Sequence, residues 1–261
     1  MPQSHLGILG YGKIASRLSQ GWSFKKSTRV LTYLRPGRRR EDSYPKYCRS
    51  LVEVVDRSDW LLLSVKPYQA RALILELGDQ LNSKLVVSTC ATLGLDQLQS
   101  WNPKVKWVRA MPNTPVSVRE GVTALCFSDS VAKQSRSFVS RAFEELGRVF
   151  VVEEAQWDAV TALSGCGPAY IFLILEALSE AGVKVGLQRE LAQKMAAQTL
   201  RGAATLALSE ERHPAQLKDE VTTPAGCTID GLMALEEGAL RSTLIRAVVA
   251  AAEKSRGYGS T

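Results

Sequence analysis

Near the amino terminus, Gly10-Tyr11-Gly12-Lys13-Ile14-Ala15 reads G-x-G-x-x-A. The motif follows an apolar run at residues 6–9, which predicts a strand, and it opens residues 13–24, whose apolar spacing predicts a helix. In that setting Gly10 permits a tight turn, Gly12 lets the backbone approach a pyrophosphate, and Ala15 lets helix and strand pack closely. The first-turn amides around Lys13 and Ile14 then face the anion at the positive end of the helix dipole. The chemistry expected of these residues is dinucleotide binding.

A second strand, predicted over residues 29–34, ends without the carboxylate that accepts from a ribose 2′-hydroxyl. Arg35 stands there instead, with Arg38, Arg39 and Arg40 close behind, and guanidinium groups pair with phosphate through two parallel hydrogen bonds. The expected cofactor is therefore NADPH, held at its 2′-phosphate chiefly by Arg35, with NADH as the alternative.

Positioning such a cofactor takes a twisted, mainly parallel sheet. Residues 60–65, 85–88, 105–110, 122–127 and 149–152 supply further strand-like runs, and residues 68–81 and 95–101 carry helical spacing between them. This alternation predicts a Rossmann-like α/β domain over residues 1–154. From there on only helices are expected, over residues 156–164, 169–181, 189–208 and 240–254, forming a helical substrate-binding and dimerisation domain over residues 155–261. Tyr170, Ile171, Phe172, Leu173, Ile174 and Leu175 follow one another, so that helix is apolar on every face. A helical domain of about a hundred residues is too thin to cover it, and a second copy of the chain is the expected cover, as a homodimer or an assembly of dimers.

The chain has 261 residues and a formal net charge of +7, with 33 basic against 26 acidic residues. The basic residues concentrate only around residues 35–49, which suits one small anion better than a nucleic acid. The five cysteines are far apart and form no C-x-x-C pair, so reduced thiols in the cytoplasm are expected. His5 and His213 are the only histidines and lack neighbouring ligands, so no metal site is expected. No apolar window is read as long enough to span a membrane, and no signal segment is read at residues 1–7.

Further motifs make the reading specific. Ser64-Val65-Lys66-Pro67 closes the third strand, Met111-Pro112-Asn113-Thr114-Pro115 follows the fifth, and Ser164-Gly165-Cys166-Gly167-Pro168-Ala169-Tyr170 opens the apolar helix. Residues 219–232, with Val221-Thr222-Thr223-Pro224-Ala225-Gly226-Cys227-Thr228 at their centre, are similar to a V-T-S-P-G-G-T-T signature. Together these resemble the pyrroline-5-carboxylate reductase family, whose members reduce a cyclic imine to proline in amino-acid biosynthesis. The resemblance implies that Val65, Lys66, Pro67, Cys90 and Asn113 border the cofactor. It also implies that Thr222, Thr223, Gly226, Cys227 and Thr228 bind the substrate, with backbone amides on the carboxylate. Thr228 is then the catalytic residue, orienting or protonating the ring nitrogen.

A loop entering a helix near Ile229 would offer unpaired amides for that carboxylate, although Thr228 at such a place could equally be a helix cap. The chain departs from the family pattern at Ala225, Cys227 and Cys166, where glycine, threonine and serine are usual, and at Ser50-Leu51, where an asparagine is usual. Two rival readings remain at this stage. One is a β-hydroxyacid dehydrogenase-like oxidoreductase with a lysine acid, for which Lys184 and Lys194 lie outside any G-x-x-x-K context. The other is a non-catalytic NADP-sensing protein on the same fold.

Overall fold

The computed structural model describes residues 4–23, 28–33, 45–210 and 212–259. Arg35, Arg38, Arg39 and Arg40 lie outside the described residues. Two compact units are present, residues 1–166 with 251–261, and residues 167–250.

The first unit is built on an eight-stranded sheet. Its strands are β1 (Ser4–Leu9), β2 (Thr28–Thr32), β3 (Lys46–Tyr47), β4 (Trp60–Leu63), β5 (Leu85–Ser88), β6 (Lys106–Pro112), β7 (Gly121–Phe127) and β8 (Gly147–Val151). They lie in the order β3-β2-β1-β4-β5-β6-β7-β8. Every pairing is parallel except β6 with β7. The expected rhythm of one helix after every strand breaks at that place. A 3-10 turn, Thr114–Val118, returns the chain directly, and the eight residues between β6 and β7 are too few for a parallel crossover, so the neighbour is antiparallel.

Helices α1 (Lys13–Ser23), α2 (Leu51–Asp56), α3 (Pro67–Leu77), α4 (Leu95–Trp101) and α5 (Lys133–Glu144) accompany the sheet. Strands β1, β4 and β5 are buried almost throughout because a parallel sheet is covered on both faces. One core cluster gathers Leu9, Leu61, Leu63, Ile74, Leu98, Trp107 and Trp157. The other gathers Leu6, Ile8, Ala15, Leu18, Trp22, Trp60 and Phe143. In the second, Trp22, Trp60 and Phe143 meet edge to face at 5.4–6.4 Å, the geometry that the ring quadrupoles favour.

After β8 the chain enters a continuous helical run, Glu154–Lys184. It comprises the short α6 (Trp157–Val160), a π-turn (Thr161–Gly165) and α7 (Gly167–Lys184). The run is long and apolar enough to pass as a membrane span by length and composition, with mean hydropathy 1.5. That corrects the expectation that no window reaches such a length; the π-turn joins two segments that the sequence reading kept apart.

The second unit holds α7, α8 (Arg189–Glu210), α9 (Pro214–Glu220), α10 (Cys227–Glu237) and most of α11 (Leu240–Gly259). Helices α7 and α8 approach closely at Gly182, where a Cβ would come within 2.9 Å of the Ala192 Cβ. Among the described residues of this unit only Ser179 and Ala192 are buried. Ile171, Phe172, Leu173, Met195, Met233 and Ile245 are all at least half exposed.

Candidate functional site

The strand order reverses beside β1: the chain passes from β1 outward to β2 and β3, then crosses back to β4 on the other side. A crevice at the carboxyl ends of the strands is the expected result of such a switch, and cofactors bind there. The loop between β1 and α1 occupies this point. Gly10 has φ +93, and a Cβ on it would lie 2.4 Å from Val65 Cγ1 and 2.7 Å from the Ser64 carbonyl oxygen. Only glycine fits both that backbone conformation and that close approach to the neighbouring loop.

Gly12 is the opposite case. A Cβ there meets nothing within 4 Å, so the backbone is open on that side. Gly12 accepts the first helical bond from the Ser16 amide, which leaves the amides of Lys13, Ile14 and Ala15 in the unpaired first turn of α1. Ala15 is fully buried against the sheet. Open backbone, unpaired amides and a helix dipole fit the pyrophosphate of a dinucleotide.

Neighbouring loops extend the groove. Ser64, Val65 and Lys66 lie between β4 and α3, where Lys66 caps the helix and Pro67 takes its first position, a place at which the missing N–H costs nothing. Cys90 follows β5; its thiol donates to the Val65 carbonyl oxygen at 3.2 Å, and burial pushes its pKa up. Any ligand contact from Cys90 is left to its main chain. Asn113 follows β6 and is buried. Its side-chain amide donates to the Ser164 carbonyl oxygen at 3.2 Å and accepts from the Val122 amide at 2.9 Å, so it ties the π-turn to the β6–β7 connection. Ser50, where the family has asparagine nearby, caps α2 by accepting from the Glu53 amide at 3.1 Å.

In the second unit, residues 221–226 join α9 to α10. The Thr222 hydroxyl donates to the Lys218 carbonyl oxygen at 2.8 Å, which closes the end of α9. Thr223-Pro224-Ala225-Gly226 forms a turn closed by the Gly226 amide on the Thr223 carbonyl oxygen at 3.1 Å. Proline second and a positive φ third, +54 at Ala225, are the marks of a type II turn. The family's glycine at position 225 thus has a physical reason, and Ala225 carries left-handed strain in its place.

Gly226 is the N-cap of α10, with no side-chain cap. The helix therefore starts at Cys227, two residues before the expected start near Ile229. Thr228 lies in the first turn and is not the capping residue, which removes that alternative role. The Thr228 hydroxyl is exposed and takes part in no hydrogen bond among the described residues. It shares the turn with the unpaired amides of Cys227, Thr228 and Ile229. A small carboxylate and a neighbouring hydrogen-bonding atom are what such a turn can hold.

Neither histidine is free for chemistry of this kind. His5 lies 3.5 Å from the Asp59 carboxylate, and His213 caps α9 through its Nδ1, which accepts from the Ala215 amide at 3.2 Å. No group of three or more metal-binding side chains occurs among the described residues. Sequence reasoning missed one buried feature, the pairing of Arg109 with Glu154. Its only signal was an arginine in the middle of strand β6, between the apolar pairs Trp107-Val108 and Ala110-Met111.

Comparison with known proteins matches this architecture in both units. Residues 154–258 match the family model described as pyrroline-5-carboxylate reductase dimerisation. Over 259 residues the chain is 39% identical to the pyrroline-5-carboxylate reductase of Arabidopsis thaliana, covering 96% of this chain and 94% of that protein. The chain belongs to the pyrroline-5-carboxylate reductase family. Its Synechocystis relative is 42% identical over 207 residues, covering 79% of this chain and 78% of the relative. A solved family structure from Plasmodium falciparum, with NADP bound, superposes with a TM-score of 0.92 at 33% identity, covering 99% of both chains. The reductase of Coxiella burnetii gives 0.88, also at 33% identity, over 99% of this chain and 100% of that one. Residues 5–92 also match the model described as NADP oxidoreductase coenzyme F420-dependent.

Proposed function

We propose that this chain reduces 1-pyrroline-5-carboxylate to L-proline with NADPH, the last step of proline biosynthesis. The observation that carries the reading is the start of α10, where the exposed Thr228 hydroxyl stands beside unpaired first-turn amides at the end of the family's signature loop. The proposed division of labour keeps residues 1–154 for the cofactor and 155–261 for substrate and dimerisation, whereas the compact units part after residue 166 and residues 251–261 join the first.

On this reading Gly10, Gly12, Lys13, Ile14 and Ala15 hold the pyrophosphate, and Arg35 holds the 2′-phosphate. Val65, Lys66, Pro67, Cys90 and Asn113 border the rest of the cofactor. NADPH supplies a hydride from C4. Thr222, Thr223, Gly226 and Cys227 shape the substrate loop, whose amides hold the carboxylate. Thr228 orients the ring nitrogen by hydrogen bonding. A protonated imine is already a good electrophile, so the protein needs chiefly to orient the reactants and exclude water. A hydroxyl is a weak acid, so the imine proton arrives with the substrate or from solvent, and Thr228 orients the nitrogen that carries it. That accounts for a site with no histidine.

The enzyme works as a homodimer or an assembly of dimers. A unit with two buried side chains among its described residues and several half-exposed large apolar ones cannot be stable unaccompanied, and a second copy is the cover. A soluble enzyme of the reducing cytoplasm suits five cysteines that are all unpaired. The test is an absorbance assay at the nicotinamide band with purified protein. Loss of NADPH that depends on pyrroline-5-carboxylate and yields proline is expected. Cofactor binding without turnover would favour a sensor.

A further inference from the structure

Arg109 lies in β6, directly beside Ser88 of β5, and only 5% of its side chain is exposed. Its Nη1 donates to Glu154 Oε1 at 2.5 Å and its Nη2 to the Ala91 carbonyl oxygen at 2.7 Å. Its guanidinium carbon lies 3.8 Å from the centre of the Trp157 ring, and the Trp157 indole N–H donates to the same Ala91 oxygen at 3.0 Å. Glu154 also accepts from the Leu95 amide at 3.1 Å.

The middle of the connection between β5 and α4 and the first residue of α4 are therefore pinned to one buried cation: Ala91 directly, Leu95 through Glu154. Cys90, next to Ala91, holds Val65 of the following groove wall, and Val65 in turn abuts Gly10. With the arginine buried and the Glu154 side chain 41% exposed, the ion pair is a poor source of stability, because the guanidinium loses its hydration while solvent screens the attraction. What it supplies is a fixed geometry, with one donor on Glu154, one on Ala91 and a planar face on Trp157, which a lysine cannot reproduce.

We propose that Arg109 is a positioning residue for the cofactor, setting the Cys90–Ala91 backbone against which NADPH binds. The inference rests on the reading above, that this connection borders NADPH. Arg109 itself touches no substrate and takes no part in the hydride transfer.

The test compares Arg109→Lys, Arg109→Met and Trp157→Phe with the parent protein, measuring NADPH affinity by titration calorimetry, steady-state constants and thermal unfolding. The Kd for NADPH is expected to rise about tenfold in Arg109→Met, about threefold in Arg109→Lys and about twofold in Trp157→Phe, scaled to the hydrogen bonds lost. The KM for pyrroline-5-carboxylate and kcat at saturating NADPH should each change less than twofold. Lowered thermal stability with unchanged NADPH affinity in the folded variants would overturn the proposal and leave Arg109 a purely structural residue. If Arg109→Met does not fold, the other two variants decide by the same criterion. A parent protein that binds NADPH but makes no proline would sink the enzymatic reading while the affinity comparison still judged Arg109. A parent that binds no NADPH would overturn both.

Discussion

Thr228 is where the chemistry is most exposed to test. Thr228→Val keeps the β-branched shape and deletes the hydroxyl, and because Gly226 is the cap of α10, the helix loses no capping bond. We expect kcat/KM to fall roughly ten- to a thousandfold, with NADPH binding and the melting temperature nearly unchanged. Lost stability with intact kinetics would remove Thr228 from the catalytic role. Ala225 offers a second test. Its φ of +54 suits glycine, so Ala225→Gly should stabilise the protein by up to about 1 kcal/mol, read from denaturant unfolding. A loss of stability would contradict the strain.

These residues were visible in the sequence as a motif, but their geometry was not. Thr228 looked like a possible cap because the sequence does not mark that Gly226 turns the chain two residues earlier. Arg109 was invisible for a related reason: its partners, Ala91 and Glu154, are 18 and 45 residues away and meet it only through the sheet.

At the scale of elements, the glycine loop shows how two glycines of one motif differ. Gly12→Val should leave the fold intact, since its Cβ meets no atom, while weakening NADPH at least a hundredfold. Gly10→Ala should instead lower the melting temperature, because the new methyl runs into the Ser64 carbonyl. Calorimetry and thermal unfolding on both variants check the contrast; a Gly12→Val protein that binds normally would refute the cradle.

Strand β7 carries a pH signature. Burial, with Glu154 nearby, pushes the Cys126 thiol up to about 11. The unfolded thiol ionises near 8.5. The raised folded value means that stability from the neutral thiol is full below about pH 8.5 and drains away as pH rises towards 11, by on the order of 2 kcal/mol. The loss of stability across that window should be shallower in Cys126→Ala; an unchanged slope would contradict this.

The strongly periodic elements were legible, among them β1, α1, β4, β5, α4, α7, α8 and α11. Helix α5 was not, because its buried face is confined to Val139, Ala142 and Phe143 among serines and charges. Strand β3 and helices α2 and α9 are too short for a period to register. Strand β7 was legible at residues 122–127, but its antiparallel direction was not, since direction depends on the connection and not on the strand's own residues.

For the whole molecule, the apolar run in α7 and the two buried side chains among the described residues of 167–250 lead us to expect that association accompanies folding. Sedimentation at micromolar concentration should find a dimer or a multiple of it, and unfolding should shift to higher temperature as protein concentration rises. A stable monomer would contradict the account. Passage of a hydride from NADPH to the imine carbon of 1-pyrroline-5-carboxylate can be traced with NADPH carrying deuterium at both C4 positions, followed by mass spectrometry and NMR of the product. Proline with a single deuterium, located at C5, is expected. Unlabelled proline, or no proline while NADPH remains bound, would contradict it.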